Sequence, residues 1–173
     1  TTMGALAEEL GIDRSSLYYY ISSKEELLDE VLRTVVERNF LNAKKIEESK
    51  VSPCRKLRDF VMMLMSSYGE HYPLFYIYIR ENLSHVTGSR SNWSSRMRDM
   101  NRQTTASLIA IIEQGFADGS FRRIGKASVI AYGIFGVVGW TSRWYKPDRS
   151  DATAQEIGAT YAEMIIAGLE SPY

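Results

Sequence analysis

One apolar seam at helical spacing runs through the middle of the chain. Its members follow one another at steps of four and three residues, which places them on one face of a long helix. They are Trp93, Met97, Met100, Thr104, Leu108, Ile111 and Gly115. Similar periods dominate the rest of the sequence, and no convincing strand alternation interrupts them. Proline occurs only at positions 53, 73, 147 and 172, where breaks are expected on other grounds. The sequence therefore predicts an all-α fold.

Capping residues and apolar periods together predict about eight helices. Two short ones cover residues 3–10 and 14–20, and a long one follows with Val31 and Val35 on its apolar face. Ser52-Pro53 opens another helix, and an aromatic helix spans Leu74–Leu83. The helix with the seam stops at Asp118-Gly119, the next spans Ala127–Tyr145, and the last begins at Thr153 with Met164 among its inward residues.

Composition excludes several classes of protein. The chain has 173 residues, 45% of them hydrophobic, with 21 basic and 21 acidic side chains, which is ordinary globular composition. A single cysteine, Cys54, excludes an internal disulfide framework and suits a reducing compartment. The longest uncharged run, Ala127–Ser142, is shorter than the roughly 20 apolar residues of a membrane span. With no visible signal peptide, we expect a cytoplasmic protein without membrane contact.

No catalytic arrangement is visible in the sequence. His71 and His85 are the only histidines, and neither has a carboxylate at ligand spacing. Cys54 lacks a visible catalytic partner, and no glycine-rich phosphate loop or metal-ligand cluster occurs. We predict no catalytic residue, no metal and no cofactor, and therefore a protein that is not an enzyme.

The first 24 residues have the pattern of a helix-turn-helix. Two short helices are joined by Gly11-Ile12-Asp13, and the second helix of such a motif can enter the DNA major groove. Leu17 and Ile21 share the inward face of that helix. Tyr18, Tyr19 and Tyr20 are consecutive and fan across roughly 200° of its surface. At least one phenol should therefore point outward, beside Arg14, Ser15 and Ser16. The alternative is that the tyrosines pack on the long helix that follows.

Residues 1–28 carry a more specific resemblance. The run has a threonine cap, a Leu-Ala-Glu helix, a Gly-Ile turn, the sequence Leu-Tyr-Tyr-Tyr, and Ser-Lys-Glu. It resembles the DNA-binding signature of the tetracycline-repressor (TetR) family. The resemblance implies a transcriptional regulator, most often a repressor. Such a regulator binds double-stranded DNA at a palindromic operator as a homodimer and responds to a small-molecule effector.

The resemblance also implies roles for individual residues. Arg14, Ser15 and Ser16 would approach bases, while Thr2, Tyr18, Tyr19, Tyr20 and Lys24 would hold phosphates. The family places a further basic helix before this run, and the present sequence begins at Thr1 without it. We therefore expect residues 1–24 to be the remnant of a DNA-binding domain whose first helix is missing. Residues 25–173 would form an effector-binding and dimerisation domain.

Methionine and aromatic residues are concentrated in the middle of the chain. Methionine adapts to irregular shapes, and ligand pockets between bundle helices are mostly apolar. The alternative is a plain hydrophobic core. The candidate ligand-binding residues are Met62, Met65, Tyr68, Phe75, Tyr76, Trp93, Met97, Met100, Trp140 and Trp144.

Gly133, Gly136 and Gly139 lie within one predicted helix. Together they cost about 3 kcal/mol relative to alanine, which close approach of another helix could offset. Family members dimerise through their last two helices, whereas packing within one subunit is the alternative. The candidate interface residues are Ile130, Gly133, Ile134, Val137, Tyr161, Ile165 and Leu169.

The C-terminal region is similar to one branch of the family. The run Arg143–Pro147 and the segment Thr153–Ile157 resemble regulators of steroid and fatty-acid catabolism, whose effectors are often acyl-CoA thioesters. The arginines at positions 90, 96, 98 and 102 could then meet CoA phosphates, or could simply form a solvated helix face. Two other functions stay open: a helical small-molecule-binding module without a DNA role, and an all-α enzyme that uses the same pocket.

Overall fold

The computed structural model describes residues 2–21, 24–74, 76 and 95–170. It divides into two compact units, Thr1–Thr34 and Val35–Tyr173. All regular elements in the described ranges are helical, and the only bridge between extended residues there joins Phe121 and Glu170. The all-α prediction is therefore confirmed. The predicted aromatic helix over Leu74–Leu83 lies largely outside the described residues.

The first unit contains α1 (Met3–Glu9) and α2 (Arg14–Tyr20). Gly11 has a φ of +65° in the turn between them, a conformation that glycine adopts without strain. Met3, Ala7 and Leu17 form a small core, with Leu6 and Ile21 packed against it. The predicted inward face of Leu17 and Ile21 is thus confirmed. Leu10 is 63% exposed because α1 ends one residue earlier than predicted.

Helix α3 spans Lys24–Glu48 and contains the boundary between the two units. Its buried stripe is turned slightly from the predicted one, because Leu32 and Val36 are buried while Val31 is 38% exposed. The second unit continues with α4 (Pro53–Glu70), α5 (Ser95–Asp118), α6 (Ala127–Trp140) and α7 (Ala154–Leu169). No helix in the described part of the chain is both long and apolar enough to cross a membrane.

Three clusters of buried apolar residues hold the described part of the second unit together. Apolar burial supplies most of its stabilisation. The seam on α5 points into buried space, as predicted: Met97, Met100, Thr104, Leu108 and Ile111 are each at most 7% exposed. Helices α4 and α7 pack closely, since a Cβ added to Gly158 would lie 3.0 Å from Sδ of Met62. Helix α4 also contributes to the walls of both cavities described below.

One helix end and the orientation of one side chain differ from the predictions towards the end of the chain. The helix predicted over Ala127–Tyr145 stops at Trp140 and tightens into a 3-10 turn over Thr141–Arg143. Thr141 is fully buried there, and its hydroxyl donates to the phenol oxygen of Tyr161 over 3.2 Å. Met164, predicted to point inward, is 55% exposed, because Ile157, Ala162, Ile166 and Leu169 supply the buried face of α7.

Candidate functional site

An aspartate fixes the start of α2. Oδ1 of Asp13 accepts the backbone N–H of Ser16 at 2.9 Å, and Oδ2 accepts the Ser16 hydroxyl at 2.6 Å. The Ser15 hydroxyl also donates to Oδ1. The serine hydroxyls, Ser15 first, hold the pKa of Asp13 well below its usual value. A helix of seven residues is marginal alone, so this cap and the small core must keep α2 ordered.

Two of the three consecutive tyrosines present their rings to solvent. Tyr19 is 83% exposed and Tyr18 is 41% exposed. The guanidinium of Arg14 donates to the Tyr18 phenol oxygen at 3.4 Å and lies 5.4 Å from the ring centroid. The alternative in which all three rings are buried is therefore excluded. The side chains of Tyr20 and Lys24 lie outside the described residues.

Thr2 caps α1 in a way that leaves it able to bind an anion. Its hydroxyl oxygen accepts the backbone N–H of Ala5 at 3.2 Å. That bond uses a lone pair, so the hydroxyl hydrogen can still be donated to another acceptor. The described side-chain donors of α1, α2 and their caps thus include the Thr2 hydroxyl, the phenols of Tyr18 and Tyr19 and the guanidinium of Arg14, all of which are groups that bind phosphate oxygens in protein–DNA complexes.

An apolar cavity of about 280 Å³ lies between α3, α4, α5 and α6. Pockets of this kind, with apolar walls and a few polar groups, typically take small molecules. Its walls are Val36, Asn39, Leu64, Tyr68, Asn101, Thr104, Thr105, Phe135, Val138 and Gly139. Burial raises the pKa of Tyr68 to about 12, so its phenol is neutral at physiological pH.

Of the predicted ligand-binding residues, Tyr68 lies in these walls and the other described ones do not. Met65, Met97 and Met100 are buried in the hydrophobic clusters instead. Trp140 and Trp144 are 64% and 49% exposed. Met62 and Tyr76 are half-buried elsewhere, and Phe75 and Trp93 lie outside the described residues. Core and cavity residues share one helical period, so periodicity could not separate them.

A second, polar cavity of about 420 Å³ lies between α3 and α4. Its walls include Arg38, Asn42 and Lys45 from α3, with Ser66, Ser67 and Glu70 from α4. Asn39 belongs to the walls of both cavities. Oδ1 of Asn39 and Oγ of Ser67 are buried without a hydrogen-bond partner. Sequence reasoning missed both residues, because a polar residue inside an apolar stripe gives no signal of its own.

The candidate subunit face on α6 is open. A Cβ added to Gly133 or Gly136 would meet nothing within 4 Å, and Val129 and Tyr132 are 63% and 65% exposed. Packing against the described residues of the protomer therefore explains neither Gly133 nor Gly136, while Gly139 lines the apolar cavity. Of the predicted interface residues, Ile130, Val137, Tyr161 and Ile165 are half-buried. Ile134 and Leu169 are each 3% exposed and lie in the core, so they have almost no surface left for a second copy.

Two of the predicted arginines on α5, Arg96 and Arg102, pair with carboxylates on the surface. Arg96 pairs with Glu37 at 3.1 Å and Arg102 with Asp99 at 2.8 Å, while Arg90 lies outside the described residues. This arrangement favours the solvated helix face over a phosphate site. Within the described ranges, no group of three His, Cys, Asp or Glu side chains could hold a metal ion.

Known proteins share both halves of this architecture. A model described as "Bacterial regulatory proteins, tetR family" matches residues 1–31. A model described as "Tetracyclin repressor-like, C-terminal domain" matches residues 50–169. The HTH-type transcriptional repressor KstR2 of Mycobacterium tuberculosis is 28% identical over 170 residues, covering 98% of this chain and 82% of the relative.

Solved structures agree with the sequence matches. The ketosteroid transcriptional regulator KstR2 of M. tuberculosis superimposes with a TM-score of 0.84 at 25% identity, covering 99% of this chain and 85% of that one. PfmR from Thermus thermophilus gives 0.85 at 25% identity, with 99% and 90% covered. AibR in complex with isovaleryl coenzyme A and operator DNA shares the fold, with a TM-score of 0.76 at 20% identity over 95% of this chain and 86% of that one.

Proposed function

The chain belongs to the tetracycline-repressor family of helix-turn-helix transcriptional regulators, and from that premise we propose how it works. It binds a palindromic operator as a homodimer and releases the DNA when a small hydrophobic or acyl-CoA-type effector enters its helical domain. Residues 1–24 contribute the DNA-reading part, and residues 25–173 contain the effector and dimer surfaces.

The observation that carries the DNA-binding role is the outward surface of α2. Tyr19 and Tyr18 are exposed, and Arg14 lies against the Tyr18 ring on a helix that is already capped. Phenols and guanidinium donate to phosphate oxygens and base edges. Residues 1–173 carry equal numbers of basic and acidic side chains, so the part of the affinity that they supply comes from this local surface and not from bulk charge.

The apolar cavity supports the effector role. It is enclosed by four helices, and its volume suits a small molecule. The relatives point to the same chemistry: AibR was crystallised with isovaleryl coenzyme A, and KstR2 is named a ketosteroid regulator. An effector that fits only one arrangement of the dimer shifts the population away from the DNA-bound state. Coupling of about 1–3 kcal/mol is sufficient for such a response.

Tyr19→Phe is expected to weaken operator binding about tenfold, because one hydrogen bond to a phosphate is lost while the ring stays. The fold should not change, since this side chain is 83% exposed. The measurement is fluorescence anisotropy of a palindromic duplex, selected from random sequences with the full-length regulator, as a function of salt. Tyr72→Phe removes the same hydroxyl from a half-buried tyrosine that belongs neither to α2 nor to the candidate subunit face, and it should bind like the wild type.

The DNA-binding role would fail if no duplex were enriched and no salt-sensitive binding were observed. A ligand that binds the protein without changing any DNA affinity would instead support the small-molecule-binding module. Equal affinities of the wild type and Tyr19→Phe would remove α2 from the interface.

Gly136→Arg is expected to weaken dimerisation at least tenfold, because a long cation would separate two α6 helices that approach closely. The protomer should tolerate it, since outside the adjacent helix backbone no atom of the described residues lies within 4 Å of the added Cβ. Sedimentation velocity over a concentration series measures the shift. Gln155→Arg adds the same charge at an exposed position in the first turn of α7 and serves as the control. A dimer unaffected by Gly136→Arg would place the interface elsewhere.

A further inference from the structure

We propose that Asn39, assisted by Ser67, is a specificity-determining contact for an effector that is apolar but bears a hydroxyl group. The body of the effector occupies the cavity of about 280 Å³, and its hydroxyl lies at the wall that this cavity shares with the polar one. The inference rests on the proposed function, because it names the chemical class of the effector.

Asn39 stands where α3 should carry an apolar residue. Val36 and Ala43, three residues before it and four after, are 4% and 0% exposed, and Asn39 itself is 7% exposed. A buried carboxamide without a partner is unfavourable, and such groups are rare in folded proteins. Leucine would fill the same stripe without that penalty. Among the described residues, Oδ1 of Asn39 has no such partner, and a bound molecule can supply one.

The other polar groups of the apolar cavity are already occupied. The Thr104 hydroxyl donates to the carbonyl of Met100 at 2.9 Å, and the Thr105 hydroxyl donates to that of Asn101 at 3.0 Å. The phenol of Tyr68 donates to the carbonyl of Tyr145 at 3.5 Å. Among the described wall atoms of this cavity, Oδ1 of Asn39 is thus a buried acceptor that receives no hydrogen bond.

Ser67 adds a second unmet group on the opposite helix. It is 4% exposed, and its Oγ has no hydrogen-bond partner. The ion pair between Arg38 and Glu70, 2.8 Å long, joins α3 to α4 beside it. Lys45 is a third charged residue in the walls of the polar cavity. Asn39 and Ser67 are themselves uncharged, and they offer a hydrogen-bonding corner.

A hydroxyl group matches this corner better than other oxygen groups. It donates its hydrogen to Oδ1 of Asn39 and accepts the hydrogen of the Ser67 hydroxyl. A ketone or a carboxylate only accepts, so it would leave Oδ1 unpaired. One buried water molecule would satisfy the same two atoms, and the experiment must separate water from ligand.

The test uses two probes with the same ring system, 2-naphthol and naphthalene, which differ only in one hydroxyl group. Each is titrated into the full chain by isothermal calorimetry. We expect the wild type to bind 2-naphthol about tenfold more tightly than naphthalene. Asn39→Leu should abolish or reverse that preference, and Ser67→Ala should reduce it. Asn42→Leu changes a neighbouring amide that lines the polar cavity alone, so it should keep the preference.

Thermal melting without ligand gives an independent readout. Asn39→Leu should melt at or above the wild-type temperature. If the leucine side chain does not fit at this position, Asn39→Ala replaces it in the same measurements. A lower melting temperature for Asn39→Leu, with the naphthol preference intact, would assign the corner to a structural water and overturn the inference. Equal affinity of the wild type for the two probes would also overturn it.

Operator anisotropy keeps this inference apart from the regulator proposal. If the preference for 2-naphthol depends on Asn39 but 2-naphthol leaves DNA binding unchanged, the role of Asn39 is supported and effector control of DNA binding is contradicted. If operator binding is strong but the protein does not prefer 2-naphthol over naphthalene, DNA binding is supported and the role of Asn39 is contradicted.

Discussion

Gly115→Ala is expected to lower the free energy of unfolding by about 3 kcal/mol, as overpacking of a well-filled core does. A Cβ at this position would lie 2.0 Å from Cδ2 of Phe121, which is 3% exposed. The ring cannot withdraw easily. The backbone N–H of Phe121 donates to the carbonyl of Gly115 at 2.9 Å, and that of Arg122 donates to Leu169 at 2.7 Å.

Urea unfolding of both proteins, followed by circular dichroism, measures this loss. Gly168→Ala is the matched control, because this glycine is also helical and nothing lies within 4 Å of its added Cβ. That control should leave stability unchanged or raise it by up to about 1 kcal/mol. Equal losses at the two positions would contradict the packing argument and point to backbone effects.

Lys56→Met is expected to lower the free energy of unfolding by about 3 kcal/mol, because it leaves buried acceptors without a donor. Lys56 is 7% exposed, and its Nζ donates to the carbonyl of Glu47 at 2.6 Å and to Oε1 of Gln114 at 2.8 Å. These bonds join α3, α4 and α5. Burial raises the pKa of Glu47, but hydrogen bonds from Lys44 and Ser107 outweigh it and hold the pKa below its usual value.

Lys44→Met separates this network from simple charge loss. Lys44 pairs with the same Glu47 at 2.8 Å, but its side chain is 36% exposed, so its removal should cost less than about 1 kcal/mol. Chemical denaturation of both variants gives the comparison. Adding Gln114→Leu to Lys56→Met should recover part of the loss, since one orphaned acceptor disappears. Similar costs at Lys44 and Lys56 would be inconsistent with a buried network.

Helices and family were predictable because their signals are local. The proline positions, the caps at Asp13, Ser52 and Thr153, and the seam on α5 each depend on residues within a few turns. The structure confirms these elements, and the family membership confirms a transcriptional regulator and not an enzyme. Where the predictions missed, as at the end of α6, a long-range contact between Thr141 and Tyr161 coincides with the change.

The walls of the cavity were not predictable from the same signals. Met97 and Met100 look like ligand residues by composition, yet they pack against Val36 in the core. Asn39 looks like a surface polar residue, yet it lines the apolar cavity. Whether a residue on an inward helical face meets another side chain or empty space depends on how several helices diverge. Periodicity along one helix contains no information about that divergence.

The cap of α2 has a consequence for which bases this protein can distinguish within the proposed function. A serine hydroxyl has one hydrogen, and in both Ser15 and Ser16 that hydrogen is directed to Asp13. Their oxygens can then only accept, and the adjacent carboxylate repels the carbonyl and ring-nitrogen edges of guanine. Opposite these two serines, the half-site should carry an exocyclic amino group, that of adenine or cytosine.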